Sequence, residues 1–455
     1  MSNSPLITIY ITNYNYGKFI EQSIESVLNQ TLQDFELLII DDGSTDNSKE
    51  VIEKYRQNEQ INIIYQKNKG LNVTNNIAMR ASKGKYIMRL DADDYLENNA
   101  IAEMSAVLES DDELGLVFPD YYYVDAEGIR IGEEKRHNFE KEVSLYDNPA
   151  HGACTMIRLE FLKNLGGYNE SFTCQDGYDL WIKFITHHKV TNVIKPLFSY
   201  RQHGNNLTSN EERILSTRKK IKELYVEEHL KIHNTLAVIP VRSSFLKEVN
   251  WPLFQVNGKS ILERKVDECL KSKHLKKVVI SSSDVEILNY AREKFHTYDG
   301  VSVLERPREF SGPNETLGRT LEQSIQFVNN NFFTVEAVMS LSLEYPFLKA
   351  DTIDDAINTL ALFKADSVLS VRPDNRMYYQ HSGHSLLPIL DQSNFTKLER
   401  EAIYKGAGGI AVSTIENFGQ NKKLVSGSIS HIVVDQKTAF GVFEHFDFEL
   451  YSSLI

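Results

Sequence analysis

Apolar and polar positions alternate from Leu6 to Ile11 in a β-branched run, and the apolar residues Phe19, Ile20, Ile24, Val27 and Leu28 then recur at helical spacing. Phe35 to Ile40 is a second strand-like run, and it ends at Asp41-Asp42-Gly43-Ser44. The pattern continues as a helix over 47–55 behind the capping signal of Ser44 and Asp46, a strand over 61–65, a helix over 73–81 and a strand over 86–90 that ends at Asp91. Strands alternating with helices predict a mostly parallel sheet covered by helices. In such sheets ligands sit beyond the carboxyl ends of the strands, and both acidic clusters fall there.

From Asn210 to Lys231 the chain is rich in Glu, Lys and Arg, with apolar residues at Ile214, Leu215, Ile221, Leu224, Tyr225 and Leu230. This predicts a long surface helix that connects two halves. A new strand starts at Leu236, followed by a helix over 261–271 and a strand over 277–281, so a second α/β domain begins there. The expected division is 1–208, a helical connector over 209–234, and 235–455. A length of 455 residues with 41% apolar and 25% charged side chains allows two substantial cores.

Acidic residues outnumber basic ones, 63 to 50, for a net charge of −13, which argues against a general nucleic-acid binder. The three cysteines, Cys154, Cys174 and Cys269, form no CxxC pair and fit neither a zinc knuckle nor a disulfide framework. A reducing cytoplasm fits them. No apolar run approaches the ~18–20 residues needed to span a bilayer, and Met1 to Tyr10 has no basic leader region. If a ligand of this protein is lipid-linked, contact is therefore expected to be peripheral, at the inner face of the membrane.

Asp91-Ala92-Asp93-Asp94 follows the strand 86–90, and in an extended backbone Asp91 and Asp93 point the same way, so both can face one cation. Oxygen ligands suit Mg²⁺ or Mn²⁺. A solvated turn with a helix cap explains the same four residues, and a turn-forming Asp before Gly explains Asp42.

Taken together, Thr12-Asn13-Tyr14-Asn15, the run from Asp41 to Ser48, Lys69-Gly70-Leu71-Asn72 and Arg89-Leu90-Asp91-Ala92-Asp93-Asp94 resemble family-2 glycosyltransferases in order and spacing. The resemblance covers roughly residues 5–205 and implies the GT-A fold. It implies a sugar-nucleotide donor, UDP by family default, bordered by Thr12, Tyr14, Asp42, Lys69, Arg89 and Asp91. It further implies Asp93 as direct metal ligand beside Asp91, and inversion at the anomeric carbon. Tyr200-Arg201-Gln202-His203, with Asn205 and Asn206 after it, is similar to the family's closing strand and loop. Arg201 and His203 would there reach the diphosphate, with His203 also a candidate metal contact; a lone His is otherwise usually structural.

Leu165-Gly166-Gly167-Tyr168-Asn169-Glu170 and Gln175-Asp176-Gly177-Tyr178-Asp179-Leu180-Trp181 resemble the acceptor-side segment, in which an Asp serves as general base. Here Gln175 replaces the usual Glu, and Gly177 shifts the register by one residue, so Asp176 is the candidate base and Asp179 its alternative. Small residues in His151-Gly152-Ala153-Cys154-Thr155 leave room for an acceptor; core packing explains them equally well.

The second half, from Ala237-Val238-Ile239-Pro240-Val241-Arg242 through Arg306-Pro307 to Gly408-Gly409-Ile410-Ala411-Val412, resembles cytidylyltransferases that make CMP-activated acidic sugars. The chemical positions depart from that family. Ser243-Ser244-Phe245-Leu246 stands where a glycine-rich phosphate loop belongs, and Gly441-Val442-Phe443 where an Asp-x-Asp metal pair belongs. Arg242, Lys247 and Glu344 remain as candidate phosphate or metal contacts.

The expectation is two nucleotide-diphospho-sugar-transferase-like (GT-A/Rossmann-like) α/β domains, the second catalytically degenerate and a site of homodimer formation. The first moves a sugar from a nucleotide donor to a hydroxyl of a glycan or lipid-linked acceptor in surface polysaccharide synthesis. The alternatives are a bifunctional enzyme that also makes its CMP-sugar, and a non-catalytic sugar-binding scaffold.

Overall fold

A computed structural model describes residues 4–135, 145, 149–203, 211–242, 249–311, 315–373, 379–381, 385–388 and 404–455. The chain divides into two compact units, 1–217 and 218–455.

The first unit runs β1 (Ile7–Asn13), α1 (Ile20–Leu28), β2 (Phe35–Asp41), α2 (Ser48–Glu53), β3 (Ile61–Tyr65), α3 (Leu71–Ala81), β4 (Tyr86–Asp91) and β5 (Tyr95–Leu96). It continues through α4 (Ala100–Ser110), β6 (Leu114–Val124), β7 (Arg130–Glu134), β8 (Met156–Arg158), α5 (Leu159–Asn164), α6 (Asp176–His187) and β9 (Lys189–Arg201). These strands form one nine-stranded sheet in the order β3-β2-β1-β4-β8-β6-β9-β5, with β7 paired to β6. β1 to β4 are mutually parallel, β8 runs against both of its neighbours, and β6 and β9 are parallel again.

Alternation along β1 explains the two-sided core. Ile7, Ile9 and Ile11 face α1 (Ile20, Ile24, Val27) and α4 (Ile101, Met104, Leu108). Tyr10, with Leu38 and Ile40 of β2, packs on the opposite face against Ala78 and Met79 of α3 and Leu180, Trp181 and Phe184 of α6. α3 starts two residues earlier than its apolar spacing predicts, because Gly70 at φ 88° turns the chain into the helix.

α7 (Glu211–His229) is the expected long helix, and the division between units falls inside it. In the second unit Lys222 of this helix is buried against Asp355, Nζ to Oδ1 2.5 Å.

The second unit contains β10 (Thr235–Val241), the hairpin β11 (Gln255–Val256) and β12 (Lys259–Ser260), α8 (Ile261–Lys271), β13 (Leu275–Ser282), α9 (Val285–Phe295), β14 (Val301–Glu305), α10 (Gly318–Asn331) and β15 (Ala337–Leu341). Then come α11 (Ala350–Leu362), β16 (Ser367–Pro373), β17 (Tyr379–His381), β18 (Leu386–Pro388), β19 (Tyr404–Thr414), α12 (Ile415–Asn421), β20 (Ile429–Val433) and α13 (His445–Leu454). Its main sheet has seven strands in the order β14-β13-β10-β15-β19-β16-β20, and β19 alone runs antiparallel to both neighbours. Both units are therefore α/β, each with a mostly parallel sheet covered by helices.

Candidate active site

The site of the first unit is built where β1 and β4 end side by side, with Thr12 paired to Asp91 in register. The backbone does not stay extended past Asp91, as the sequence pattern suggested. It turns at once, closed by Asp94 N–H donating to the Asp91 carbonyl at 3.1 Å. This turn, and not strand alternation, gathers the carboxylates. Burial and then the neighbouring Asp91 push the Asp93 carboxyl up, with His203 opposing the shift.

Asp94 is buried, and burial with the charges of Asp93 and Asp91 pushes its carboxyl well up. Its Oδ1 accepts Arg201 N–H at 2.9 Å. The ring of His203 puts Nε2 2.8 Å from Asp93 Oδ2 and stacks on Phe19, centroids 5.7 Å apart, with Tyr16 at 5.6 Å.

Arg201 does not take the place expected of a diphosphate ligand. It is buried, with Nε donating to the Asp93 carbonyl at 2.8 Å, Nη1 to the carbonyls of Asp125 and Ala126, and Nη2 to Gln22 Oε1 at 2.7 Å. A guanidinium so engaged holds the acidic turn from beneath.

On the donor side, Asp42 is buried and both its oxygens serve the loop ahead of α3. Oδ1 accepts Lys69 N–H at 2.8 Å and Gln66 Nε2 at 2.7 Å, and Oδ2 accepts Gly70 N–H at 2.9 Å. A carboxylate has roughly four acceptor sites, so one remains for a ligand. The side chains of Tyr14 and Lys69 are exposed. Thr12 Oγ1 donates to Asp91 Oδ1 at 3.4 Å.

The acceptor-side segment is fixed by α3. Asn76 makes a reciprocal pair with the backbone of Tyr168, accepting its N–H at 2.9 Å and donating to its carbonyl at 2.8 Å. Asn72 donates to the carbonyls of Asn169 and Phe172. From the other side, Arg213 Nη2 donates to the Thr173 carbonyl at 2.7 Å, and Cys174 Sγ lies 3.2 Å from Thr217 Oγ1. Gln175, left-handed at φ 63°, then turns the chain so that Asp176 opens α6. Sequence reasoning missed this clamp. Its signal was a polar stripe, Asn72, Asn75 and Asn76, at helical spacing on a face that the structure buries.

Asp176 and Asp179 part company here. Asp179 pairs with Lys183 Nζ at 2.7 Å, and that Nζ also donates to the Gly167 carbonyl, so this carboxylate ties α6 to the preceding loop. Burial pushes it up. Asp176 instead accepts a hydrogen bond on Oδ2 from Arg89 Nη1. The same guanidinium lies 2.9 Å, through Nε, from Asp91 Oδ1. Burial opposes the Arg89 charge, yet Asp176 and Asp91 together hold it well above its usual range.

Gly152 covers this pair: a Cβ there would lie 2.6 Å from Arg89 Nη2 and 3.3 Å from Asp176 Oδ2. The His151 ring beside it sits 4.8 Å from Tyr200 and 5.5 Å from both Tyr121 and Phe198.

Of the second unit's candidates, Lys247 lies outside the described residues, as do Asn205 and Asn206 of the first. Arg242 is exposed at the end of β10. Glu344 accepts from Ser342 Oγ, and its carbonyl accepts Val442 N–H at 2.7 Å. Among the described residues, no three His, Cys, Asp or Glu side chains are arranged to hold a metal ion by themselves, and no helix is long and apolar enough to cross a membrane.

The second and fourth strands of this α/β sheet end in acidic turns, and a further carboxylate, Asp176, stands at the start of α6 within reach of the Arg89 that also meets Asp91. Residues 8–166 match the model of Glycosyl transferase family 2. An uncharacterized glycosyltransferase of Methanocaldococcus jannaschii is 30% identical over 240 residues, 51% of this chain and 80% of that protein. The chondroitin synthase of Escherichia coli is 31% identical over 231 residues, 50% of this chain and 32% of its own. TarS of S. aureus, solved in complex with UDP-GlcNAc, aligns with a TM-score of 0.43 at 18% identity, over 50% of this chain and 68% of its own. The chain belongs to glycosyl transferase family 2. It spans about a third of the length of the chondroitin synthase that it matches.

Proposed function

We propose that residues 1–208 form a metal-dependent, inverting GT-A glycosyltransferase. It would take a sugar from a nucleotide donor, UDP-linked by preference, to a hydroxyl of a glycan or lipid-linked acceptor in surface polysaccharide synthesis. The likeness to a chondroitin synthase supports the polysaccharide. The observation that carries the reading is the single guanidinium of Arg89 lying between Asp91 and Asp176, which brings a donor-side and an acceptor-side carboxylate to one side chain.

The donor set fits a hard divalent cation, Mg²⁺ or Mn²⁺, because such an ion is commonly held by one or two carboxylates together with substrate phosphates, and needs no cage of protein ligands. Asp93, with Asp91 and His203 beside it, would hold the ion, which offsets charge on the departing diphosphate. Asp42, Thr12, Tyr14 and Lys69 border the nucleotide. Asp176 takes the proton of the acceptor hydroxyl as that oxygen attacks the anomeric carbon from the face opposite the leaving group.

Residues 235–455 keep an α/β scaffold similar to cytidylyltransferases without their phosphate loop or metal pair, and serve as a binding or dimerisation module. A cytoplasmic location with peripheral membrane contact goes with this reading.

The test is nucleotide release from UDP-, GDP-, dTDP- and CMP-sugars with Mn²⁺ and acceptor oligosaccharides, with and without chelator. Release from one donor that chelation abolishes is expected. Release that persists in chelator overturns the metal, and release from a CMP-sugar alone overturns the UDP preference.

A further inference from the structure

We infer that Arg89 is a positioning residue for the acceptor-side base: its guanidinium holds Asp176 by Oδ2 and so presents Oδ1 to the acceptor hydroxyl. This rests on the reading of Asp176 as base. The geometry behind it is a fixed fork. Nη2 donates to Asp91 Oδ2 at 3.5 Å and Nη1 to Asp176 Oδ2, while Nε lies 2.9 Å from Asp91 Oδ1 as an ion pair without a hydrogen bond. Among the described residues Asp176 Oδ1 accepts no hydrogen bond.

The fork has little freedom to move. Arg89 is 5% exposed, and Gly152 closes over Nη2, where a Cβ would lie 2.6 Å away. A planar guanidinium with donors on three nitrogens can bridge two carboxylates, whereas an ammonium is a single point. Arg89 thereby fixes which oxygen of Asp176 is open and anchors it to the turn that carries Asp91. A donor contact, the role that family resemblance implies, would instead need the guanidinium to face the nucleotide.

The two roles separate in kinetics. In Arg89→Lys, kcat for transfer falls by about 100-fold, the cost of a misplaced reacting group, while UDP affinity with Mn²⁺ and donor KM stay within about twofold. Arg89→Gln falls further than Arg89→Lys, so the conservative variant rescues in part. In the background of Asp176→Asn, Arg89→Lys causes no additional loss, since a residue that acts through another has nothing left to act on.

Circular dichroism checks that each variant is folded, and Arg89→Lys, which keeps the buried positive charge, carries the test where Arg89→Gln does not fold. Weakened UDP binding in Arg89→Lys, or losses that multiply in the double variant, overturn the proposal and make Arg89 a donor contact. A wild-type protein that binds UDP and transfers sugar while Asp176→Asn retains full activity sinks instead the reading of Asp176, and with it any role for Arg89 through that residue.

Discussion

The two units share a seven-strand arrangement, to which β5 and β7 are added in the first, and carry different residues at the strand ends. In each, three parallel strands lie to one side of a fourth, and an antiparallel strand then separates them from two further parallel ones. The registers can be aligned from the pairs Ile7–Tyr86 and Thr235–Ala337. Counting on from Tyr86 and Ala337, Arg89 corresponds to Ser340, Asp91 to Ser342 and Asp93 to Glu344. On the neighbouring strand, the pairs Asn13–Asp41 and Val241–Ser282 set Asp41 against Ser282. The second unit thus has small hydroxyl residues where the first has the bridging cation and two of its acids. Its turn is closed by aromatic packing, Tyr345 against Phe443 at 5.6 Å, with Val442 buried beneath. The sheet sets where a ligand can sit, and the residues at the ends of the strands decide whether chemistry follows.

The sharpest way to break this comparison is to strike both units at matched positions. Asp93→Asn is expected to lower transfer by about 10²–10³-fold, the usual cost of losing one charge-stabilising group. Glu344→Gln should leave transfer within about twofold. Steady-state rates with the preferred donor decide it, and an equal loss from Glu344→Gln would make the second unit catalytic.

A smaller effect separates two glycines. Gly152→Ala places a Cβ against Arg89 Nη2, and is expected to cost up to about 100-fold in kcat by shifting the Arg89–Asp176 pair, with little change in melting temperature. Gly408, at φ 76° and packed against the Tyr345 ring, should behave in the opposite way. Gly408→Ala forces a left-handed alanine and puts a Cβ 1.9 Å from the Tyr345 hydroxyl oxygen, so it costs more than the about 1–2 kcal/mol of the backbone conformation alone, and leaves transfer intact. Paired melts and rates of the two variants check this. A Gly152→Ala protein that melts early but turns over normally would reassign that glycine to packing.

The sequence carries the sheet plainly because strand alternation in β1 and helical spacing in α1 are local. The same holds for the acidic turns, whose residues are neighbours in the chain. It says much less about partners brought together by folding. Arg89 meets Asp176 across 87 positions and Asn76 meets Tyr168 across 92, and no periodicity encodes either pairing. The choice between Asp176 and Asp179 stayed open for that reason, since both lie in the first turn of α6 and differ only in the cation each one meets. Arg201 shows the converse. A motif places it beside His203, but whether its guanidinium turns outward or under the turn depends on Gln22 and on the carbonyls of Asp125 and Ala126.

The mildest test concerns how each unit tolerates a buried cation. In the first, Asp176 and Asp91 compensate Arg89, which stays charged across the accessible range. In the second, Lys265 is buried, and Nζ donates at 2.7 Å to the Tyr345 carbonyl. Burial lowers it from 10.5 to about 8, offset only in part by Cys269, Glu344 and Glu268. Between those two values the unfolded chain binds the proton more readily than the folded one, so folding becomes more favourable as pH rises through the window. The slope is at most about 1.4 kcal/mol per pH unit. The two-unit protein should therefore gain stability on its Lys265→Met variant between pH 8 and 10, read as melting temperatures at matched ionic strength. Curves for the two proteins that stay parallel would mean that Lys265 keeps its proton, and that the second unit solvates or pairs this cation as completely as the first does Arg89.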